Sequence, residues 1–199
     1  MAPRVGVLAL QGDVREHVAA LSLCGADVVN VGTAEQLSTL HGLVIPGGES
    51  TTMSKLAVRD GLLEPLREVR ASGLPMYGSC AGMIMLADRV HDGRPDQETI
   101  GGLDIDVRRN AFGRQVDSFE TDLHIDVLGP EPFPAVFIRA PWVESAGPEV
   151  AVLGRIEEGD QAGTIVAVEH AGLLATSFHP ELTGDTRVHA YFMTMVRNR

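Results

Sequence analysis

Gly78-Ser79-Cys80-Ala81-Gly82 puts a cysteine between two glycines, where a short apolar run, Pro75 to Tyr77, hands over to a helical stretch. This is the spacing of a nucleophile elbow with a thiol in place of a hydroxyl. Such a turn strains the backbone of the nucleophile, and side chains two positions to either side would collide with neighbouring chain. A cysteine at a helix start is favoured as thiolate by the backbone dipoles, and the same N–H groups can bind an oxyanion. Taken alone, the pentapeptide fits a buried cysteine on a tight turn equally well.

A cysteine nucleophile requires a base, and the base an orienting partner. Ser177-Phe178-His179-Pro180-Glu181 supplies both, directly after the apolar run that begins at Leu173. Pro180 disfavours helix at His179, and in extended chain residues two apart project to one side. Glu181 can therefore hold one imidazole nitrogen while the other faces Cys80. A solitary His-x-Glu would be read as a surface pair. A zinc deaminase would need Pro-Cys-x-x-Cys downstream, which the sequence lacks. His17, His41, His91, His124, His170 and His189 show no comparable partner pattern and are expected to be surface or structural. Cys24, three residues after Leu21 on the apolar side of the first helix, is expected in the core.

A third motif, Pro46-Gly47-Gly48-Glu49-Ser50-Thr51-Thr52, resembles a phosphate loop but lacks the Gly-Lys-Ser/Thr ending. Glu49 would repel phosphate; it suits a substrate ammonium, while the glycines let backbone N–H groups approach an oxyanion. In isolation this stretch reads as a plain turn.

The elements that must position these motifs follow from periodicity. Arg4 to Leu10, Asp27 to Val31, Gly42 to Ile45 and Pro75 to Tyr77 read as strands. Between them, helical spacing predicts a helix after Asp13, which is placed to cap it, and a short helix with a Thr33–Gln36 capping box. Two more helical stretches span Thr51 to Arg59 and Leu62 to Ser72, and Gly25 suits the end of the first helix. Strand–helix alternation predicts a parallel sheet with helices on both faces. From Asp104 the pattern changes to strands: Asp104 to Arg108, Leu123 to Leu128, Ala135 to Ile138, Val150 to Ile156, Thr164 to Glu169 and Leu173 to Ser177, with a hairpin at Ala171-Gly172. A last helix begins near Asp185. Residues 1–199 are expected to form one domain.

A net charge of −11 argues against general nucleic-acid binding. Two cysteines outside any CxxC argue against a disulfide scaffold or a cysteine-rich zinc site. The opening apolar run is too short for a signal peptide, and no stretch reaches the roughly 18 apolar residues of a membrane span, so a cytoplasmic setting is expected.

The three motifs in this order resemble the class I (triad) glutamine amidotransferases. Further segments narrow the resemblance to the family of glutaminase subunits of pyridoxal 5′-phosphate synthase: Val7 to Gly12 with Arg15-Glu16-His17, Gly47 to Met53, Cys80 to Met83, Arg109 to Gln115, and Phe137 to Pro141. Ile84 stands where many other triad amidotransferases carry Gln. The resemblance implies a mixed, mostly parallel central sheet flanked by helices, flavodoxin-like, and hydrolysis of L-glutamine to glutamate and ammonia. It implies Cys80 as nucleophile, His179 as base and acid, and Glu181 as orienter. Gly48, Glu49, Ser50, Arg109, Ile138 and Arg139 would contact glutamine. It implies neither a cofactor nor a metal, and a partner synthase subunit that receives the ammonia for vitamin B6 synthesis, with Gln11 and the Gly47-Gly48 loop near the contact. Rival readings are the glutaminase subunit of another pathway, such as histidine biosynthesis, a cysteine hydrolase of similar fold, and a non-catalytic binding module.

Overall fold

The computed structural model describes residues 2–109, 111 and 118–199; Asn110 and the 112–115 part of the family-like segment lie outside them. In chain order the elements are β1 (Arg4–Leu8), α1 (Val14–Leu23), β2 (Asp27–Val31), α2 (Ala34–Leu37), β3 (Gly42–Ile45), α3 (Ser50–Arg59), α4 (Leu63–Ala71), β4 (Met76–Ser79) and α5 (Ala81–Leu86). There follow β5 (Ala87–His91), β6 (Leu103–Arg108), β7 (Ser118–Leu123), β8 (Phe133–Ile138), β9 (Trp142–Ala146), β10 (Ala151–Arg155), β11 (Ile165–His170), β12 (Leu173–Thr176) and α6 (Arg187–Arg197).

Strands β3, β4 and β12 are buried at every position, as expected where both faces of a sheet are covered. They sit in the middle of a ten-stranded sheet of order β2-β1-β3-β4-β12-β11-β9-β6-β5, with β10 paired to β11. The pairs from β2 across to β12 are parallel, while β11 joins β12, β9 and β10 antiparallel. The sheet is thus mixed and mostly parallel at the half that matters for chemistry. Residues alternate across it: Val7, Val44, Tyr77 and Leu174 join the layer under α1 and α6, whereas Leu8, Leu43, Met76 and Leu173 join the layer with Met53 of α3, Leu66 of α4 and Met83 of α5. Strands β7 and β8 form a separate two-stranded sheet. No helix among the described residues is long and apolar enough to cross a membrane.

Several boundaries differ from the sequence reading. Leu123 to Leu128 is not a strand: β7 ends at Leu123, and Asp126–Leu128 is a 3₁₀ turn closed by Gly129. The pairing partner lies earlier because Ser118–Leu123 alternates exposed polar residues with half-buried ones and carries little apolar signal. The same polarity hides β5, at the sheet edge, with Asp88 and Arg89 exposed. The hairpin at Ala171-Gly172 is present, both residues adopting positive φ (49° and 83°) between antiparallel β11 and β12. Gln36 Oε1 accepts from the Thr33 N–H at 3.0 Å, as the capping-box spacing predicts.

Candidate active site

Four chain segments leave the carboxyl ends of neighbouring parallel strands β1, β3, β4 and β12 and converge there, the usual place for a ligand in such a sheet. They carry Gln11 to Asp13, Gly47 to Ser50, Cys80, and His179 to Glu181 respectively.

Cys80 caps α5 with φ 49° and ψ −101°, a conformation that L-residues rarely adopt. It is anchored by its N–H, which donates to the Thr176 carbonyl of β12 at 2.8 Å. The flanking glycines have the purpose their spacing suggested. A Cβ on Gly82 would overlap the Ile45 carbonyl oxygen of β3, and a Cβ on Gly78 would overlap the Gly82 carbonyl. Both obstacles are backbone, so relief requires moving α5 against β3 for Gly82 and against β4 for Gly78. Gly82→Ala should therefore destabilise the protein by about 3 kcal/mol. Urea unfolding checks this, and a loss below about 1 kcal/mol would refute the packing argument.

His179 is buried, and its backbone N–H donates to the Val136 carbonyl of β8 at 2.8 Å. Its Nδ1 lies 2.7 Å from Glu181 Oε1 and 3.3 Å from Asp13 Oδ2. Two carboxylates address the same nitrogen, so Nδ1 carries a proton whether the ring is neutral or charged, and it is Nε2 that gains and loses the second proton. Burial alone would lower the His179 pKa. Hydrogen bonding with Asp13, Cys80 and Glu181, together with the charge of Cys80, outweighs burial and raises it. Burial raises the Glu181 pKa, opposed by the hydrogen bond and charge of His179. Asp13, His179 and Glu181 are the one set of donors among the described residues grouped closely enough, within 4.8 Å, to share a cation. A protonated Nδ1 has no lone pair to offer one.

The thiol and imidazole open onto a cleft of about 420 Å³. Gly48, Glu49, Ser50, Arg109, Ile138 and Arg139, all expected from sequence, line it with Asp13, Ala81, Ile84, Pro141 and Leu182. Glu181 stands behind His179, 9% exposed. Arg139 also holds a positive φ of 43°, a second strained residue at the cleft. The Cys80 Sγ lies 4.0 Å from the Ile138 carbonyl oxygen. Glu49 caps α3: its carboxylate accepts from the Thr51 and Thr52 N–H groups at 3.1 and 2.7 Å and from Arg109 at 2.8 Å. Burial opposes ionisation of Glu49, but these donors together lower its pKa. Arg109 also donates to Thr51 Oγ1 and Gln97 Oε1, so both charges are held in fixed positions at the cleft wall.

The loop after β1 lies against the glycine loop. The Asp13 N–H donates to the Gly47 carbonyl at 3.2 Å, and the Glu49 N–H donates to Gln11 Oε1 at 3.2 Å. Gly12, at φ 96°, permits this approach; a Cβ there would overlap the Gly47 carbonyl oxygen.

Three residues escaped the sequence reading. Asp13 holds the N-cap position of α1 but makes no side-chain cap; its carboxylate turns to His179 instead. His17 and His189, expected to be surface or structural, are of the structural kind, fully buried together; what the sequence did not show is that they lie beside Glu181. Burial lowers both pKa values, that of His189 to about 4 and that of His17 well below its ordinary value, the latter helped by the nearby charges of His189 and His179. Arg15-Glu16-His17 belonged to a family-like segment, yet nothing local says that His17 points inward. Cys24, expected in the core, is half-buried at the end of α1 and packs against the edge of the core there.

Residues 7–198 match the model of the SNO glutamine amidotransferase family. The chain is 66% identical over 194 residues to the pyridoxal 5′-phosphate synthase subunit PdxT of Acidothermus cellulolyticus, covering 98% of this chain and 94% of that one. A crystal structure described as a glutamine amidotransferase superposes with a TM-score of 0.88 at 45% identity, covering 97% and 98% of the two chains. The structure of PurLQS from Thermotoga maritima, 17% identical with a TM-score of 0.68 over 100% and 99% of the two chains, shares the fold.

Proposed function

The chain belongs to the SNO glutamine amidotransferase family, and from that premise we propose that it is the glutaminase subunit of a pyridoxal 5′-phosphate synthase, acting as one domain. The observation that carries the reading is Cys80 on a strained elbow, sharing a cleft with an imidazole whose Nδ1 is held by a buried carboxylate.

In the proposed reaction the Cys80 thiolate attacks the side-chain amide carbon of glutamine. The tetrahedral oxyanion is bound by backbone N–H groups, Ala81 and Gly48 being the candidates at the cleft. His179 protonates the departing nitrogen, which leaves as ammonia, and a thioester remains. His179 then takes a proton from water, the hydroxide adds to the thioester, and glutamate departs with regeneration of the thiol. Glu181 keeps Nδ1 protonated and stabilises the imidazolium formed in each half. Glu49 suits the substrate ammonium, and Arg109 and Arg139 the α-carboxylate; Gly48, Ser50 and Ile138 complete the contacts.

Ammonia is mostly protonated at neutral pH and so a poor nucleophile, which favours direct delivery to the synthase subunit over release. A cytoplasmic setting belongs to the same reading. The test is glutamate release by the purified chain, with and without the synthase subunit. Pyridoxal phosphate formed from a pentose phosphate, glyceraldehyde 3-phosphate and glutamine is measured in parallel. The expected result is stimulation of glutaminase by the partner and glutamine-dependent product. Equal stimulation by an imidazole glycerol phosphate synthase partner, or none by either, would overturn it.

A further inference from the structure

A row of buried polar side chains runs from the triad into the layer under α1 and α6, and the reaction above uses only its front. His17 Nε2 lies 2.9 Å from Ser79 Oγ and 3.5 Å from Glu181 Oε2, and His17 Nδ1 lies 3.0 Å from His189 Nε2. We infer that His17 is a positioning residue, whose Nε2–H lies between the elbow and the orienting carboxylate and holds Glu181 in place behind His179, with His189 setting the His17 tautomer. This rests on the triad reading and extends it by one layer.

The protonation pattern follows from counting partners. Glu181 Oε1 is taken by His179, while Oε2 is buried with no ordinary hydrogen bond among the described residues. A buried carboxylate oxygen needs a donor, and the His17 nitrogen is the polar group placed beside it. If His17 carried its proton on Nδ1, the Nε2 lone pair would face that anionic oxygen. His189 would then have to accept through Nε2 and leave its Nδ1–H buried without a partner, since that atom has none. In the reverse order His189 Nε2–H donates to His17 Nδ1, and His17 Nε2–H faces Ser79 and Glu181. Only an acceptor, His189 Nδ1, is left over, the less costly defect. Burial, with both rings packed edge-on to Tyr77, keeps both neutral. His17 therefore hydrogen-bonds Ser79 Oγ at 2.9 Å and turns the same N–H dipole toward Glu181 Oε2 at 3.5 Å without a competing cation, so that the Glu181 charge stays committed to His179.

Two variants separate this role from simple filling of space. His17→Leu removes the donor; His17→Gln offers an amide N–H near the position of Nε2. With the synthase subunit present, His17→Leu should lower kcat for glutamine about 10-fold to 100-fold, as loss of an outer hydrogen-bond partner does elsewhere. KM should stay within about threefold, because His17 does not line the cleft, and His17→Gln should recover most of the loss. Unchanged kcat in His17→Leu, or equal impairment in both variants tracking their thermal midpoints, would overturn the inference. Independently, 15N-histidine spectra should show neutral His17 protonated at Nε2, with that resonance moving in Glu181→Gln. Protonation at Nδ1, or an unmoved resonance, would also overturn it. If the unmodified protein hydrolyses no glutamine with its partner, the proposed function falls, while the spectra still decide whether His17 addresses Glu181.

Discussion

Purified Cys80→Ala protein should release no glutamate above background, a loss of about 10⁴-fold or more, as when other covalent nucleophiles are removed. The substitution deletes one atom from a side chain that is 6% exposed and leaves the elbow glycines, the Thr176 anchor and the cleft walls unchanged. Glutamine should therefore still bind, detectable by calorimetry, and the thermal midpoint should move by a few degrees at most. The strained φ of 49° gives the variant no easier route to a different backbone, since Gly78 and Gly82 are packed against chain on both sides. Residual turnover within about a hundredfold of the unmodified protein would remove the covalent mechanism, whatever the family.

Glu181→Gln should cost about 10³-fold in kcat with little change in KM, by analogy with other triads that lose their orienting carboxylate. The volume is nearly unchanged, but an amide 2.7 Å from Nδ1 can present its NH₂ instead of an acceptor. His179 would then carry its proton on Nε2 and face Cys80 with no lone pair. Asp13 Oδ2, 3.3 Å from the same nitrogen, is the built-in rival for this role and sets the size of the residue's effect. If Asp13 can substitute, Glu181→Gln retains substantial activity that vanishes in Asp13→Asn/Glu181→Gln. Near-normal kcat, within about threefold, in both the single and the double variant would show that Glu181 does not orient the base. Burial of Glu181 favours its carboxylate as the stronger of the two, because its charge is least diluted by solvent.

The elbow, the His-x-Glu pair and the glycine loop were legible because each is a local constraint. A glycine two residues from a nucleophile, a proline that keeps a histidine extended, and a strand-to-helix change of period are properties of five or six consecutive residues. The β-rich second half was less legible, since β5, β7 and β9 are polar-rich strands whose pairing is decided by neighbours far away in sequence. Glu49 illustrates a middle case. Its type suggested a ligand for an ammonium, yet its carboxylate is also the cap of α3 and the anchor of Arg109, 60 residues on.

Order and type of residues alone thus singled out a thiol, an imidazole and a carboxylate beside a glycine loop, and determined the parallel sheet that presents them. Folding decided the rest. It chose which carboxylates reach the imidazole, turning Asp13 from a helix cap into a second partner of His179. It also joined His17 to His189 across 172 residues to make a buried row behind Glu181. The physical reason is range: strain, capping and periodicity act within a few residues, whereas burial and the satisfaction of a polar atom depend on whatever chain packs against it.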